Sequence, residues 1–204
     1  MSANPEHSTL FDLAGGHPAL NLVNSLDNRF RADGPDEMLT GFAELLRFLQ
    51  ETALITPSQA QLLKKKVNPA AAEKALQSVR ELREASAAVL YAVAQEKTPP
   101  TPDLRTLERY FHAADRQRRL CWEDGASWQW HTDEANPELT VWILARSVCE
   151  LLFSEQLGQM RTCDVDTCRW LFLDTSKNHS RRWCNMKVCG NRVKARRFQA
   201  RRGD

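Results

Sequence analysis

Four cysteines near the carboxyl end place the strongest constraint on what this chain can fold into. They form two close pairs, Cys163 with Cys168 and Cys184 with Cys189, and fifteen residues separate the pairs. Two short loops that each carry two thiolates are the ligand layout of a tetrahedral structural zinc site. Because the segment is too small to be stabilised by a hydrophobic core alone, we predict one structural Zn²⁺ bound by these four residues.

The same four thiols allow two other interpretations. Four unrelated buried cysteines in a reduced protein would give the same pattern, and a redox switch would use the same side chains. The two remaining cysteines, Cys121 and Cys149, lie among apolar neighbours. Free cysteine is commonly buried, so we expect these two to be free buried thiols.

Charge is distributed unevenly along the 204-residue chain. Residues 161–204 contain twelve Lys or Arg and four Asp or Glu, a net charge of +8. Residues 1–160 contain sixteen basic and twenty-two acidic residues, a net charge of −6. An acidic body with a basic end is expected when only the end meets a polyanion. Arginine outnumbers lysine nine to three in the basic end, which favours contact with phosphate or guanine.

The candidate nucleic-acid contacts are the basic residues around and after the second cysteine pair. Asn191 is expected to cap a helix that carries Lys194 to Arg202. The alternative is a solvated basic tail that binds nothing in particular. Trp170 and Trp183 either stack on bases or form the small core of the metal module. The candidate contacts are Arg181, Arg182, Lys187, Arg192, Lys194, Arg196, Arg197, Arg201 and Arg202.

Between the cysteine pairs the sequence predicts a β-hairpin. Trp170 to Leu173 is a predicted strand, residues 175–180 form a polar turn, and Arg181 to Trp183 is the predicted partner strand. A cysteine pair, a hairpin, a second cysteine pair and a basic helix together predict a small treble-clef-like zinc finger.

The preceding part of the chain carries strong helix signals. Four dipeptides pair a capping side chain with proline at the first helical position. Apolar residues at intervals of three and four predict long helices over 69–95, 102–118 and 137–157. An Asp-Gly turn at 124–125 predicts a β-hairpin over 120–130. The dipeptides are Thr56-Pro57, Asn68-Pro69, Thr101-Pro102 and Asn136-Pro137.

These patterns together predict a mainly α fold in two domains. Residues 1–158 form a helical amino-terminal domain with a small β-hairpin. Residues 159–204 form the zinc finger that ends in a basic helix. The boundary is placed where the last apolar helix ends and the basic segment begins.

Enzyme signals are weak in the helical domain. The Gly15-Gly16 turn lacks the glycine spacing and the Lys-Ser/Thr of a phosphate-binding loop, and no histidine is linked by a motif to a nucleophile. We therefore expect no enzymatic activity.

The helical domain also contains a candidate ligand pocket. His17, Asn21 and Asn24 are spaced along one side of the first predicted helix, and Trp128 and Trp130 supply an apolar wall. A few polar groups in an apolar cavity are what a small-molecule site requires. The alternatives are that the asparagines cap backbone while the tryptophans fill the core, or that the domain forms a homodimer.

Neither a membrane span nor a secretory signal is recognisable. The sequence has no run of 18 apolar residues, and its first ten residues lack a basic segment followed by an apolar one. We therefore expect a cytoplasmic protein without a membrane partner. In a reducing compartment metal binding explains paired cysteines better than disulfides do.

Two stretches of the chain resemble known families. The carboxyl-terminal stretch closely resembles the CGNR zinc finger, and the amino-terminal part resembles the ABATE domain that usually precedes it. The resemblance implies a bacterial, stress-responsive transcription regulator with a zinc-binding, DNA-binding tail. The motifs are Cys163-x4-Cys168-x-Trp170-Leu171-Phe172-Leu173-Asp174-Thr175-Ser176, Arg181-Arg182-Trp183-Cys184 and Cys189-Gly190-Asn191-Arg192, with Gly15-Gly16 and Leu20-Asn21-Leu22-Val23-Asn24 in the amino-terminal part.

The function expected from residues and resemblance together is a zinc-dependent DNA-binding transcription regulator. Its amino-terminal domain would sense a small ligand or dimerise. The alternative is a zinc-stapled protein-interaction module without DNA specificity.

Overall fold

The computed structural model describes residues 11–133 and 135–200, and all of their side chains except those of 196–198 and 200. This described part of the chain is 54% helical, which confirms the predicted mainly α fold. In the described ranges the α-helices are α1 (Pro18–Asn24), α2 (Phe42–Glu51), α3 (Pro57–Lys66), α4 (Pro69–Ala94), α5 (Thr101–Asp115), α6 (Glu138–Leu152) and α7 (Asn191–Ala200).

Short strands form antiparallel pairs between these helices. A 3₁₀ helix over Glu155–Gln159 precedes the third pair, and a π-helical turn over Met186–Gly190 precedes α7. The pairs are β1 (Leu26–Asp27) with β2 (Asp36–Glu37), β3 (Arg118–Trp122) with β4 (Ala126–Trp130), and β5 (Met160–Thr162) with β6 (Leu171–Leu173). The predicted hairpin over 120–130 is therefore confirmed as β3 and β4.

Local capping chemistry sets the helix starts. Thr56 and Gln59 form a reciprocal capping box at α3, and the Asn68 side chain accepts a 2.8 Å hydrogen bond from the Ala71 amide at α4. Helices α5 and α6 differ from the prediction because Pro100 and Pro137, not Thr101 and Asn136, occupy the positions before them. Helix α6 ends at Leu152, five residues before the predicted end, since the chain turns into the 3₁₀ helix there.

Helix α6 is the centre of the helical domain. It packs against α1, α4 and α5, and its Leu144, Val148 and Leu151 are fully buried. Such burial on several sides explains why this helix is apolar around most of its circumference. Leu171 and Leu173 of β6 belong to the same buried cluster. The main core therefore extends into the segment predicted to be a separate zinc finger.

A buried ion pair fixes the β1–β2 ribbon to α4. The Arg83 guanidinium is 3% exposed and donates to both carboxylate oxygens of Glu37, at 2.7 and 2.6 Å. A bidentate pair of this kind holds its partners in one geometry. The ribbon is thereby held beside the finger, where Asp27 accepts a 2.7 Å hydrogen bond from Trp170 Nε1.

The strand partner within the finger differs from the prediction. Strand β6 pairs with β5, in the register Met160↔Leu173 and Thr162↔Leu171, and not with residues 181–183. The backbone of residues 181–182 makes other contacts: the Arg181 amide donates to Asp174 Oδ2 at 2.9 Å, and the Arg182 carbonyl accepts from the Asp164 amide at 3.0 Å.

In the part of the chain that the structure describes, no helix combines the length and apolar character needed to cross a membrane.

Candidate metal centre and nucleic-acid interface

The four predicted zinc ligands converge on one point. All four thiols are buried, and their Sγ atoms lie within 4.8 Å of one another. Cys168 Sγ lies 3.6 Å from Cys184 Sγ, which lies 3.7 Å from Cys189 Sγ. Zn–S bonds of about 2.3 Å place the sulfur atoms of a tetrahedral site about 3.8 Å apart, whereas a disulfide requires about 2.05 Å. The donor set and its spacing therefore fit one zinc ion, as the sequence predicts.

The first ligand pair is held by a tight turn of the backbone. The amides of Cys168 and Arg169 both donate to the Val165 carbonyl, at 2.8 and 3.0 Å, and Arg169 adopts a left-handed conformation with φ of 53°. The Cys163 amide donates to the Trp170 carbonyl at 2.8 Å, which closes the loop. Both sulfur atoms consequently point to the same side of the turn.

The second ligand pair leads directly into α7. The Asn185 side chain caps the π-helical turn by accepting a hydrogen bond from the Lys187 amide at 3.0 Å. The backbone carbonyl of Asn185 accepts hydrogen bonds from the amides of Cys189 and Gly190. Helix α7 begins at Asn191 without a break after this turn. The prediction that Asn191 caps α7 is wrong, because its Nδ2 donates to the Lys187 carbonyl at 2.9 Å instead. The orientation of the basic helix is therefore tied to a zinc ligand.

The electrostatics of the cluster favour a bound cation. Hydrogen bonds from Cys168 and Cys184 stabilise the Cys163 thiolate and lower its pKa well below the usual range of a thiol. Burial, followed by repulsion from the Cys163 charge, raises the pKa of Cys189. The negative charge of Cys163 therefore opposes ionisation of the other thiols. A dication bound among the four sulfur atoms would remove that repulsion.

The two remaining cysteines lie outside the cluster. Cys121 and Cys149 are free thiols, as predicted, but they are half-buried. Burial raises the pKa of Cys149. Substitution of Cys121 or Cys149 therefore provides a control for substitution of the four predicted zinc ligands.

Trp170 contributes to the core of the finger and does not form a base-stacking surface. It is 9% exposed and packs with Val165, Phe172 and the ligands, while Trp183 packs half-buried against the same cluster. Of the two interpretations of these tryptophans, burial supports the small core.

Arg181 was predicted to contact DNA, but the structure turns it inward. Its guanidinium donates to the backbone carbonyls of Trp183 at 2.9 Å and Leu173 at 3.3 Å, and to that of Cys184. It also lies 4.5 Å from the centre of the Phe172 ring. With its donors directed at the backbone around a zinc ligand, Arg181 holds the finger together.

Other predicted DNA contacts are exposed on the finger surface. Lys187, Arg192 and Lys194 are exposed, and Arg192 lies 3.4 Å from Thr167 Oγ1. Arg182 is exposed and forms a 2.6 Å ion pair with Asp164. The positions of Arg196 and Arg197 lie on α7, but their side chains are outside the described part, and Arg201 and Arg202 lie wholly outside it.

Buried hydrogen bonds fix the finger to the helical domain. Asn24 Nδ2 donates to the Leu171 carbonyl at 2.8 Å, and the Leu171 amide donates to Asn24 Oδ1 at 3.0 Å. The Leu173 amide donates to the Gly15 carbonyl at 3.0 Å. Tyr91 Oη donates to the Arg169 carbonyl at 3.0 Å. The finger is therefore joined to α1 and α4 by direct contacts.

The polar residues of the predicted ligand pocket have structural roles in α1. His17 caps α1 by accepting from the Ala19 amide at 3.2 Å, and burial lowers its pKa, which favours the neutral ring. Asn21 Oδ1 accepts from the Gly15 amide at 3.0 Å, and Asn24 binds Leu171.

The aromatic residues of the predicted pocket lie elsewhere. Trp128 and Trp130 line a cavity of about 220 Å³ with Arg118 and Arg146. His17 and Asn21 line a different, open cavity with Glu51. His17 and Asn21 therefore line a different cavity from Trp128 and Trp130.

Sequence reasoning missed three residues that support the site. Asp27 binds Trp170, Tyr91 binds the Arg169 carbonyl, and Asp174 is fully buried in the loop after β6. Asp174 accepts from the Ser176 hydroxyl and amide and from the Arg181 amide, and the bond from Ser176 contributes most to its lowered pKa. The Asp-Thr-Ser sequence that begins at Asp174 is a local sign of such a turn.

Comparison with known families matches both parts of the chain. The CGNR zinc finger matches residues 159–202, and the ABATE family, described as "Putative stress-induced transcription regulator", matches residues 16–155. Neither is an enzyme family, and a search of curated proteins finds no match to this chain. The domain boundary at 158/159 remains a prediction. The ABATE match covers most of the sequence, in the order that the resemblance predicts, and the chain belongs to the ABATE family with a CGNR zinc finger at its carboxyl end.

Proposed function

We propose that this protein is a DNA-binding transcription regulator whose DNA contacts depend on zinc. The observation that carries the proposal is the direct passage from Cys189 through Gly190 into α7. Folding of the metal site therefore sets the direction of the basic helix. The match to a regulator family supports the same function.

The composition of α7 suits contact with a phosphate backbone. Residues 186–200 contain five Lys or Arg and no Asp or Glu. The described side chains of Lys187, Arg192 and Lys194 are exposed. An α-helix of ten residues is about 15 Å long and fits the major groove of B-DNA. We infer that α7 and the preceding turn form the DNA-contacting surface.

Attachment of the finger to the helical domain supports transmission of a regulatory signal. The bonds from Asn24, Gly15 and Tyr91 join the finger to two helices of the body. A change in those helices would alter the position of the finger. We propose that the helical domain responds to a cellular stress signal and α7 carries the response to DNA.

The test measures DNA affinity by fluorescence anisotropy over a range of salt concentrations. Each lost phosphate contact reduces the slope of log affinity against log salt by about 0.9. The double variant Arg192→Gln, Lys194→Gln is expected to bind more weakly, with a slope smaller by about 2. Lys64→Gln, Lys65→Gln removes the same charge from the exposed last turn of α3 and serves as the matched control.

The control variant is expected to bind DNA like the wild type. A salt-independent affinity, or equal losses in both double variants, would refute the proposal. Selection of binding sites from random DNA, with and without a zinc chelator, then identifies the target sequence. Enrichment of no site, together with capture of an acidic protein partner by the finger, would favour the interaction-module alternative.

A further inference from the structure

The β3–β4 hairpin, residues 118–130, has an exposed apolar face. Leu120, Trp122 and Trp128 lie on the same face because Leu120 pairs with Trp128 and Trp122 pairs with Ala126. They are 62%, 78% and 58% exposed. A two-stranded hairpin is at best marginally stable by itself, and large exposed apolar patches mark interaction sites. We call residues 118–130 the arm.

A groove between α5 and α6 begins at the base of the arm. Its volume is about 510 Å³, and its apolar lining includes Leu104, Phe111 and Phe153. Phe153 is 85% exposed and Leu104 is 41% exposed. Asp115 borders both this groove and the cavity lined by Arg118 and Trp128, so the groove ends next to the arm.

We propose that two copies of this chain form a symmetric dimer in which the arm of each copy lies in the α5–α6 groove of the other. The arm strands have five residues each and are about 16 Å long. The groove follows α5 from Thr101 to Asp115, which is about 21 Å. The arm therefore fits within the length of the groove.

The exposed apolar area also suits a second copy. Buried aromatic side chains each contribute about 150–250 Å², so the exposed apolar residues of arm and groove offer roughly 700 Å² per copy. A stable interface of standard size buries about 800 Å² per partner. The arm tip carries the exposed acids Glu123 and Asp124, and the groove lining combines Arg105 and His112 with Glu108 and Asp115, so area rather than charge favours a second copy.

Each copy carries both halves of this interface, so a reciprocal exchange uses both arms and both grooves. Such an isologous contact closes at two copies. The dimer does not require the proposed DNA binding, although it would bring two zinc fingers onto one duplex.

Sedimentation velocity on the full zinc-bound chain tests the dimer. The wild type is expected to dimerise with rising concentration. Trp122→Ser and Phe153→Ser are each expected to raise the dimer dissociation constant by at least about tenfold, since central aromatic anchors dominate interface energies. Phe30→Ser removes a 50% exposed apolar side chain from the loop between β1 and β2 and should have no effect. Circular dichroism verifies that each variant is folded.

Mixing the two defective variants tests the arm-in-groove geometry. A Trp122→Ser chain keeps its groove and a Phe153→Ser chain keeps its arm, so the mixture should form heterodimers through one intact contact. A dimer that survives either variant, or a mixture that stays monomeric, would overturn the geometry. A wild type that remains monomeric would overturn the dimer and assign the arm to another partner. The same conclusion follows if the monomer pellets with phosphatidylcholine vesicles.

Discussion

The side chain of Asn24 binds the backbone of Leu171 as a neighbouring β-strand would. Asn24 donates to the Leu171 carbonyl at 2.8 Å and accepts from the Leu171 amide at 3.0 Å, and both residues are buried. Because 147 positions separate them, this pair joins the first helix of the body to the zinc finger. The contact makes the finger part of the structure that the helices build.

Substitution of Asn24 is expected to destabilise the whole protein. Asn24→Ala leaves a buried amide and a buried carbonyl without partners, and each costs about 1–3 kcal/mol. Urea unfolding should show a loss on the order of 3 kcal/mol. Asn178→Ala, at an exposed position in the finger, should change stability little. Equal stability of both variants would show that the Asn24 contact is dispensable.

Zinc content should depend on the four clustered thiols alone. Cys184→Ser is expected to lose zinc because a hydroxyl is a poor ligand, whereas Cys149→Ser should retain one zinc ion per chain. Since Leu171 and Leu173 belong to the main core, loss of zinc should also lower the melting temperature of the helical domain. Elemental analysis and calorimetry measure the two effects. Retention of zinc by Cys184→Ser would contradict the four-ligand site.

Zinc affinity should rise with pH. Burial and the Cys163 charge raise the pKa of the Cys189 thiol, so this thiol carries a proton at neutral pH in the metal-free protein. Zinc must displace such protons, and fewer remain as the pH increases. Competition with a chromophoric chelator should show weaker zinc binding in mildly acidic buffer. Calorimetry in buffers of different ionisation enthalpy should detect released protons, and an affinity independent of pH would be inconsistent with thiol ligands.

Arg181 and Arg182 should respond differently to the same substitution. Arg181→Gln removes contacts to three carbonyl groups around the finger and should lower the free energy of unfolding by about 2 kcal/mol. Arg182→Gln breaks an exposed ion pair with Asp164, which is worth less than about 1 kcal/mol. Urea unfolding compares the two variants. Similar losses would mean that the inward contacts of Arg181 contribute little.

Features encoded by neighbouring residues were predictable from the sequence. Thr56 and Gln59 lie three positions apart, so the capping box that starts α3 is readable directly. The Asp-Gly turn at 124–125 likewise specifies the β3–β4 hairpin. The cysteine spacing specifies the metal centre because each ligand pair is confined to one short loop.

Features that depend on distant contacts could not be predicted in the same way. Asn24 has a polar side chain of the kind that often binds ligands. Its contact with Leu171 is visible only in the folded chain. The pairing of β6 with β5 follows from docking of Leu171 and Leu173 into the main core, whereas the sequence favoured the nearer segment 181–183. Arg181 and Arg182 are adjacent arginines that the sequence does not distinguish. In the folded chain the side chain of Arg181 is held inward by backbone carbonyl groups that the fold brings together.

The most direct test of zinc-dependent DNA binding is a titration of zinc into the metal-free chain with DNA affinity as the readout. Affinity should increase until one zinc ion per chain has been added and then remain constant. The DNA affinity of the zinc-bound protein should depend steeply on salt concentration. Cys189→Ser should show no increase. DNA binding of equal strength before and after zinc addition would contradict the central role of the metal in orienting α7.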